Sequence, residues 1–184
     1  MNLVHLSREL MRKQTRKNNA PAWLLTELAV KKGRVLAKKY NVDEKLVVVS
    51  LYLAHTIFSS VWKGEIQKNH PGLSARFVKP YLQKWRVNKK DQSIILNAIE
   101  SHHNKVPTKS KIAEIMKNAE CFKFITIEGA LIWLHDCGAR RYSFDDSVKR
   151  VIEKMEQKHR LLTLKDCKRE AEKNRQQILK LFQR

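Results

Sequence analysis

The stretch that decides the fold is Leu46–Trp62, LVVVSLYLAHTIFSSVW, which holds no lysine, arginine, aspartate or glutamate. Three successive valines, Val47, Val48 and Val49, favour a strand locally. Length argues the other way, because so long an apolar run suits a buried helix better than a strand. The residues before it agree: Asn41 is followed by Glu44 three positions on, a spacing that caps helices. The segment is therefore read as a fully buried helix over Lys45–Ser59. It falls just short of the roughly 20 apolar residues that cross a bilayer. His55, Thr56, Ser59 and Ser60 interrupt it, which also favours a core helix over a membrane span.

Outward from this segment the periodicity stays helical. Leu3, Leu6 and Leu10 predict a short amphipathic helix, and the basic stretch Arg12–Asn19 leads to Pro21. A helix is expected over Ala22–Tyr40 with Leu25, Leu28, Val35 and Leu36 facing inward. On the other side, Asn69-His70-Pro71-Gly72 reads as a loop and Leu73–Trp85 as a helix kinked or split at Pro80. Asp91 is expected to cap a helix ending near His103. Pro107 closes the next loop, and helices follow over Lys109–Phe124 and Ile127–Leu134. Val148, Ile152, Met155, His159 and Leu162 form one stripe; Cys167, Ala171, Asn174, Ile178 and Leu181 form another. Both read as core packing, with a seam between copies of the chain as the other possibility, so an oligomer through the C-terminal helices remains open. Trp62, Trp85 and Trp133 read as core residues. With 5 glycines and 4 prolines there is little turn chemistry for a many-stranded sheet. The expectation is an all-α multi-helix bundle in one domain over residues 1–184.

The chain has 184 residues, enough for a hydrophobic core, and 42% of them are hydrophobic, which sets it apart from disordered chains. Lysine and arginine total 38 against 18 acidic residues, a net charge of +20. Such a charge suits a polyanionic partner, nucleotide or nucleic acid. Cys121, Cys137 and Cys167 form no C-x-x-C pair, so a cysteine zinc site is not expected and a reduced, cytoplasmic setting is. The opening MNLVHLSRELMRKQTRKNN has no apolar core of signal-peptide length, and no membrane association is expected. The sequence has no P-loop, G-x-G-x-x-G fingerprint, G-x-S-x-G elbow or H-E-x-x-H motif.

Five short segments carry the chemistry, each in or beside an expected helix. They are Lys31-Lys32-Gly33-Arg34-Val35, Leu53-Ala54-His55-Thr56, His70 with Leu73-Ser74-Ala75, Ile99-Glu100-Ser101-His102-His103, and Asn118-Ala119-Glu120. In this order the set resembles the HD superfamily of metal-dependent phosphohydrolases, over about Pro21–Leu134. Residues 135–184 are similar to the C-terminal helices of small archaeal and other prokaryotic members. The resemblance implies an HD-like helical core over 21–134, a helical extension packed on it over 135–184, and a site that holds one or two divalent metals. Histidine nitrogens and carboxylate oxygens suit manganese, iron, zinc or magnesium. A bound ion activates water and offsets phosphate charge.

Carried over residue by residue, the resemblance makes His55, His70, His102 or His103, and Glu120 the metal-ligand candidates. Three positions are altered. Lys31 stands where the family has its first histidine, Thr56 follows His55 where the family has aspartate, and Glu120 replaces the last aspartate. A lysine repels a cation, so one expectation is a metal-free site in which Lys31 pairs with Glu120. Adjacent side chains on a helix diverge by about 100°, so only one of His102 and His103 is expected to face the site. Lys31, Lys32, Arg34, Arg76, Lys79 and Lys105 are the phosphate-binding candidates. Arg140, Arg141, Lys149 and Arg150 form a second basic cluster. His135-Asp136 is a literal His-Asp pair but lies too far along the chain for the motif, and His5 and His159 read as structural or surface residues. Three functions follow from this reading. The first is a phosphate-ligand-binding protein with a degraded metal site, the second an active metal-dependent phosphohydrolase acting on nucleotides, and the third a non-catalytic nucleic-acid-binding or assembly protein.

Overall fold

The computed structural model describes residues 2–58, 64–103 and 106–183, with side chains from 69 onward in the middle segment. Trp62 and Lys105 lie outside the described residues. Nine α-helices and one 3-10 turn are present among the described residues, with no strand: α1 (Leu3–Asn18), α2 (Trp23–Lys39), α3 (Glu44–Leu53), α4 (Gly64–Lys84), α5 (Lys89–Ser101), α6 (Lys111–Phe122), the 3-10 turn Lys123–Ile125, α7 (Ile127–Ala139), α8 (Phe144–Arg160) and α9 (Lys165–Phe182). No described helix is long and apolar enough to cross a membrane. The chain divides into two units, Met1–Glu120 and Cys121–Arg184.

In the first unit α3 is the central element, packed by α1, α2, α4 and α5. Every residue from Leu46 to Leu53 is buried. This explains why the valines form helix: burial on all sides outweighs a local strand preference that only a half-exposed pleated surface would reward. Asp43, not Asn41, is the N-cap, its side chain accepting from the Leu46 N–H at 3.1 Å. Asn41 instead takes a left-handed conformation at φ 48 after the end of α2, which asparagine tolerates better than most residues. The expected helix to Ser59 is cut short, ending at Leu53 and giving way to a turn that carries His55. Leu10, Leu46, Val49, Leu53, Ala75, Val78, Leu82, Ile95 and Ile99 form the core of this unit. Val35, expected to face inward, is 56% exposed, while Gly33 and Leu36 take the buried face of α2.

The expected loop over Asn69–Gly72 is helical. Helix α4 runs through it with both Pro71 and Pro80 inside. A proline in a helix interior costs roughly 3 kcal/mol. Here His70, Ser74, Ala75, Val78 and Leu82 are buried at helical spacing, so core packing holds the helix through its prolines. Asn88 caps α5, accepting from the Asp91 N–H at 2.9 Å, while its own amide donates to the Asp91 carboxylate at 2.9 Å. Asp91, the expected cap, is thus the reciprocal partner three residues on.

In the second unit α7, α8 and α9 pack on the 3-10 turn and on one another. Helix α7 continues past Leu134 to Ala139. The buried stripe of α8 is Ser147, Val151, Met155 and Lys158, so it is rotated from the expected Val148, Ile152 and His159, which are half-buried. In α9, Cys167, Ala171 and Ile178 are buried as expected, but Leu181 is 51% exposed. Lys123 and Lys158 are each 2% exposed. Their ammonium groups stand 5.1 and 5.7 Å from the Phe124 ring centre, and that of Lys154 stands 5.3 Å away, so one aromatic ring serves three cations. Trp133 packs edge-on against Phe124 at 5.7 Å.

Candidate metal centre

Four separate stretches of the first unit deliver the candidate ligands. His55 comes from the turn that closes α3, His70 from within α4, His102 from the C-cap of α5, and Glu120 from the last residues of α6. All four are buried, at 8%, 2%, 0% and 1% exposure respectively. Ring-nitrogen atoms of His55, His70 and His102 lie within 4.8 Å of one another, and these three residues could hold a metal ion.

The hydrogen bonds orient the rings. The His102 Nδ1–H donates to the Ile99 carbonyl at 2.5 Å. A carbonyl only accepts, so Nδ1 carries the proton and Nε2 of the neutral ring keeps its lone pair. That Nε2 lies 3.3 Å from His70 Nε2. Two nitrogens bound to one tetrahedral ion at roughly 2.0–2.1 Å each would stand about 3.3 Å apart, so this pair already has ligand spacing. His55 Nε2 lies 2.8 Å from Glu120 Oε1, donating to the carboxylate. A carboxylate behind a histidine fixes the ring and raises its basicity, the usual support for a ligating imidazole. A set of three imidazoles with a carboxylate beside them suits zinc, manganese or iron.

His102 and His103 both remain at the centre. The His103 ring is 4.7 Å from that of His70 and 4.3 Å from that of His102. Only His102 of the two has a nitrogen among the converging ligand atoms, and its backbone at the C-cap is still right-handed helical at φ −68, ψ −9. His103 is half-buried where His102 is fully buried.

The altered positions behave differently from one another. Thr56 is fully buried, and its hydroxyl donates to the Leu53 carbonyl at 3.1 Å, closing the end of α3. Lys31 is exposed on α2, while the Glu120 carboxylate is engaged by His55, so the expected Lys31–Glu120 pair is not what the structure forms. A buried carboxylate gains more from an imidazole already fixed beside it than from a long side chain whose ammonium is better hydrated at the surface. Among the phosphate candidates, Arg34 is paired with Glu44. Arg76 and Lys79 are exposed on α4, and Lys32 is half-buried on α2.

Outside the centre, His135 is exposed, and Asp136 is paired with Arg140 at 2.5 Å. Arg140 also sits over Trp133, and Arg150 sits 3.8 Å from the Tyr142 ring centre. His5 is exposed, and His159 lies 3.4 Å from Glu172. The residue that sequence reasoning missed is Phe58. Its half-buried ring stands edge-on to His55 at 5.8 Å and to His70 at 5.0 Å. The signal was its position three residues after His55, a spacing that puts two side chains on one side of a helix or a turn.

The fold is similar to that of Bacillus subtilis YpgQ, whose crystal structure is a complex with ADP. The TM-score is 0.71, with 98% of this chain and 93% of that one covered, at 14% identity. No family model matches the sequence. No curated protein matches it either. The expected all-helical, HD-like multi-helix bundle is the fold that the chain adopts, with additional helices after the centre.

Proposed function

We propose that this protein is an HD-superfamily phosphohydrolase-like protein that binds a divalent metal through His55, His70 and His102 and, beside it, the phosphates of a nucleotide. The observation that carries this reading is the convergence of three buried imidazoles from three separate elements, with ring nitrogens within 4.8 Å of one another. Burying polar rings together costs free energy unless each is satisfied, and a shared cation is one economical way to satisfy them. Likeness to a protein solved with ADP supports a nucleotide as the ligand class. The net charge of +20 supports a phosphate-rich ligand over a neutral one.

A divalent ion held there lowers the pKa of a bound water and neutralises charge on a phosphoester oxygen. The residues supply the rest. Ile99 holds the His102 tautomer, Glu120 orients His55, and His103 is the most exposed histidine of the cluster and so the one offered to a phosphate. Lys31, Lys32, Arg76 and Lys79 are the candidate partners for the remaining phosphate charge. Lys31 and Thr56 depart from the HD pattern, so the proposal is of ligand binding, and released phosphate is what separates a hydrolase from a binding protein.

The test is elemental analysis of protein purified without chelators, followed by titration with nucleoside mono-, di- and triphosphates and measurement of released phosphate. Bound manganese, iron or zinc with metal-dependent nucleotide binding is the expected result. Binding without phosphate release assigns a binding protein with a degraded centre. Absence of both metal and nucleotide binding overturns the proposal. The charge also favours a second reading, nucleic-acid binding, which predicts affinity for mixed-sequence RNA or DNA that falls steeply with salt.

A further inference from the structure

Phe58 has no place in the ligand set, yet it touches two of its members. The His55 and His70 rings lie nearly parallel, 23° apart at a centre distance of 4.9 Å. The Phe58 ring stands almost perpendicular to both, at 80° to His55 and 70° to His70. One phenyl ring therefore spans the edge of a stacked histidine pair. Its backbone is outside any helix, held by the Phe58 N–H donating to the His55 carbonyl at 2.9 Å. The ring is half-buried while His70 beneath it is 2% exposed. This is the placement of a wall, a half-exposed residue whose ring lies against two buried imidazoles.

We propose that Phe58 is a positioning residue that shields His55 and His70 from water, controlling how fast ions and reagents reach their ring nitrogens. An apolar side chain over a ligand cluster restricts solvent access and lowers the local dielectric, which strengthens what the cluster binds. Edge-to-face contacts also restrain the two rings, since aromatic pairs at these separations have preferred orientations. The inference deepens the proposed metal-binding reading, but shielding of the histidines is measurable without any metal.

The experiment has two arms on the full chain. In the first, metal-free protein is treated with diethyl pyrocarbonate, and modification of each histidine is followed by peptide mass spectrometry. Phe58→Ala is expected to raise the rate at His55 and His70 several-fold while the exposed His5 and His135 react at unchanged rates. Phe58→Trp, which restores an aromatic wall, is expected to return His55 and His70 to the wild-type rate. Phe58→Leu, too small to span both rings, is expected to show a smaller rise at His55 and His70 and covers the case in which alanine disturbs folding, checked by circular dichroism. Wild-type rates at both histidines in the alanine and leucine variants would overturn the proposal. In the second arm cobalt(II) release to a chelator is timed in wild type and variants, with faster release expected from Phe58→Ala. A wild type that binds no cobalt removes the metal reading and leaves the shielding role to stand or fall on the first arm.

Discussion

His70 within α4 and His102 at the C-cap of α5 hold their Nε2 atoms 3.3 Å apart, and the Nδ1–H of His102 is engaged by the Ile99 carbonyl. The lone pair of His102 Nε2 is thus directed at its neighbour by the backbone of its own helix. The two nitrogens have the spacing of ligands on one tetrahedral ion, and in the metal-free site the same contact is a hydrogen bond in which His70 Nε2–H donates to His102 Nε2.

Replacing His102 with alanine removes one of the three converging nitrogens. Loss of an outer-shell partner weakens metal binding by about 10- to 100-fold, so loss of a ligand is expected to exceed that range. His135→Ala, at an exposed histidine of the second unit, is expected to leave affinity unchanged. Isothermal titration with zinc or manganese measures both. Equal affinities in wild type and His102→Ala would remove His102 from the site.

Glu120→Gln keeps the shape of the side chain and removes its charge. Its amide oxygen still accepts from His55, but a neutral acceptor makes a weaker bond than a carboxylate, and the site is nearly dry. A loss of about 1–2 kcal/mol in metal-free stability is expected from denaturant unfolding. Metal affinity is expected to fall as well, since the imidazole becomes less basic.

Tyr52 predicts an alkaline effect. Burial pushes its phenol above the ordinary value of 10.0, and the Glu27 charge adds to this, while Arg8 and Arg34 act in the opposite sense. The folded state therefore holds the phenol proton more tightly than the unfolded state does. The stability this contributes is full below pH 10.0 and is lost as pH rises through the folded value. Tyr52→Phe is expected to show a flatter decline of unfolding free energy above that pH than wild type. Parallel declines in the two proteins would refute the linkage.

Two glycines predict contrasting costs. A Cβ on Gly33 of α2 would run into the Leu51 side chain and stand 3.1 Å from Val47 Cγ1. Overpacking costs about 1–3 kcal/mol, and replacing glycine by alanine in a helix returns about 1, so Gly33→Ala is expected to lose about 1 kcal/mol. A Cβ on Gly129 of α7 would meet the backbone carbonyl of Lys123, which no rotamer change can move aside. Gly129→Ala is expected to lose more than about 3 kcal/mol. Urea midpoints of the two variants test this ranking.

The amino-acid sequence by itself determined the helical class, the burial of Leu46–Leu53, and which residue types carry the chemistry. Each is a local property: periodicity, the lack of charge, and the identity of the histidines and their neighbours in short segments. It misplaced what depends on packing. Pro71 reads as a loop until the buried face formed by His70, Ser74 and Ala75 shows why α4 continues through it. Lys31 reads as a partner for Glu120 until the fold brings His55 to that carboxylate instead. The centre itself was legible only as a set of candidates. His55 and Glu120 are 65 residues apart, and His70 and His102 are 32 apart. Only the tertiary structure could join them, because the distances between ring nitrogens are set by how α3, α4, α5 and α6 pack and by where α3 and α5 stop. The same packing sets the Phe58 ring edge-on to both His55 and His70, a meeting of α4 with the turn after α3 that the sequence does not show.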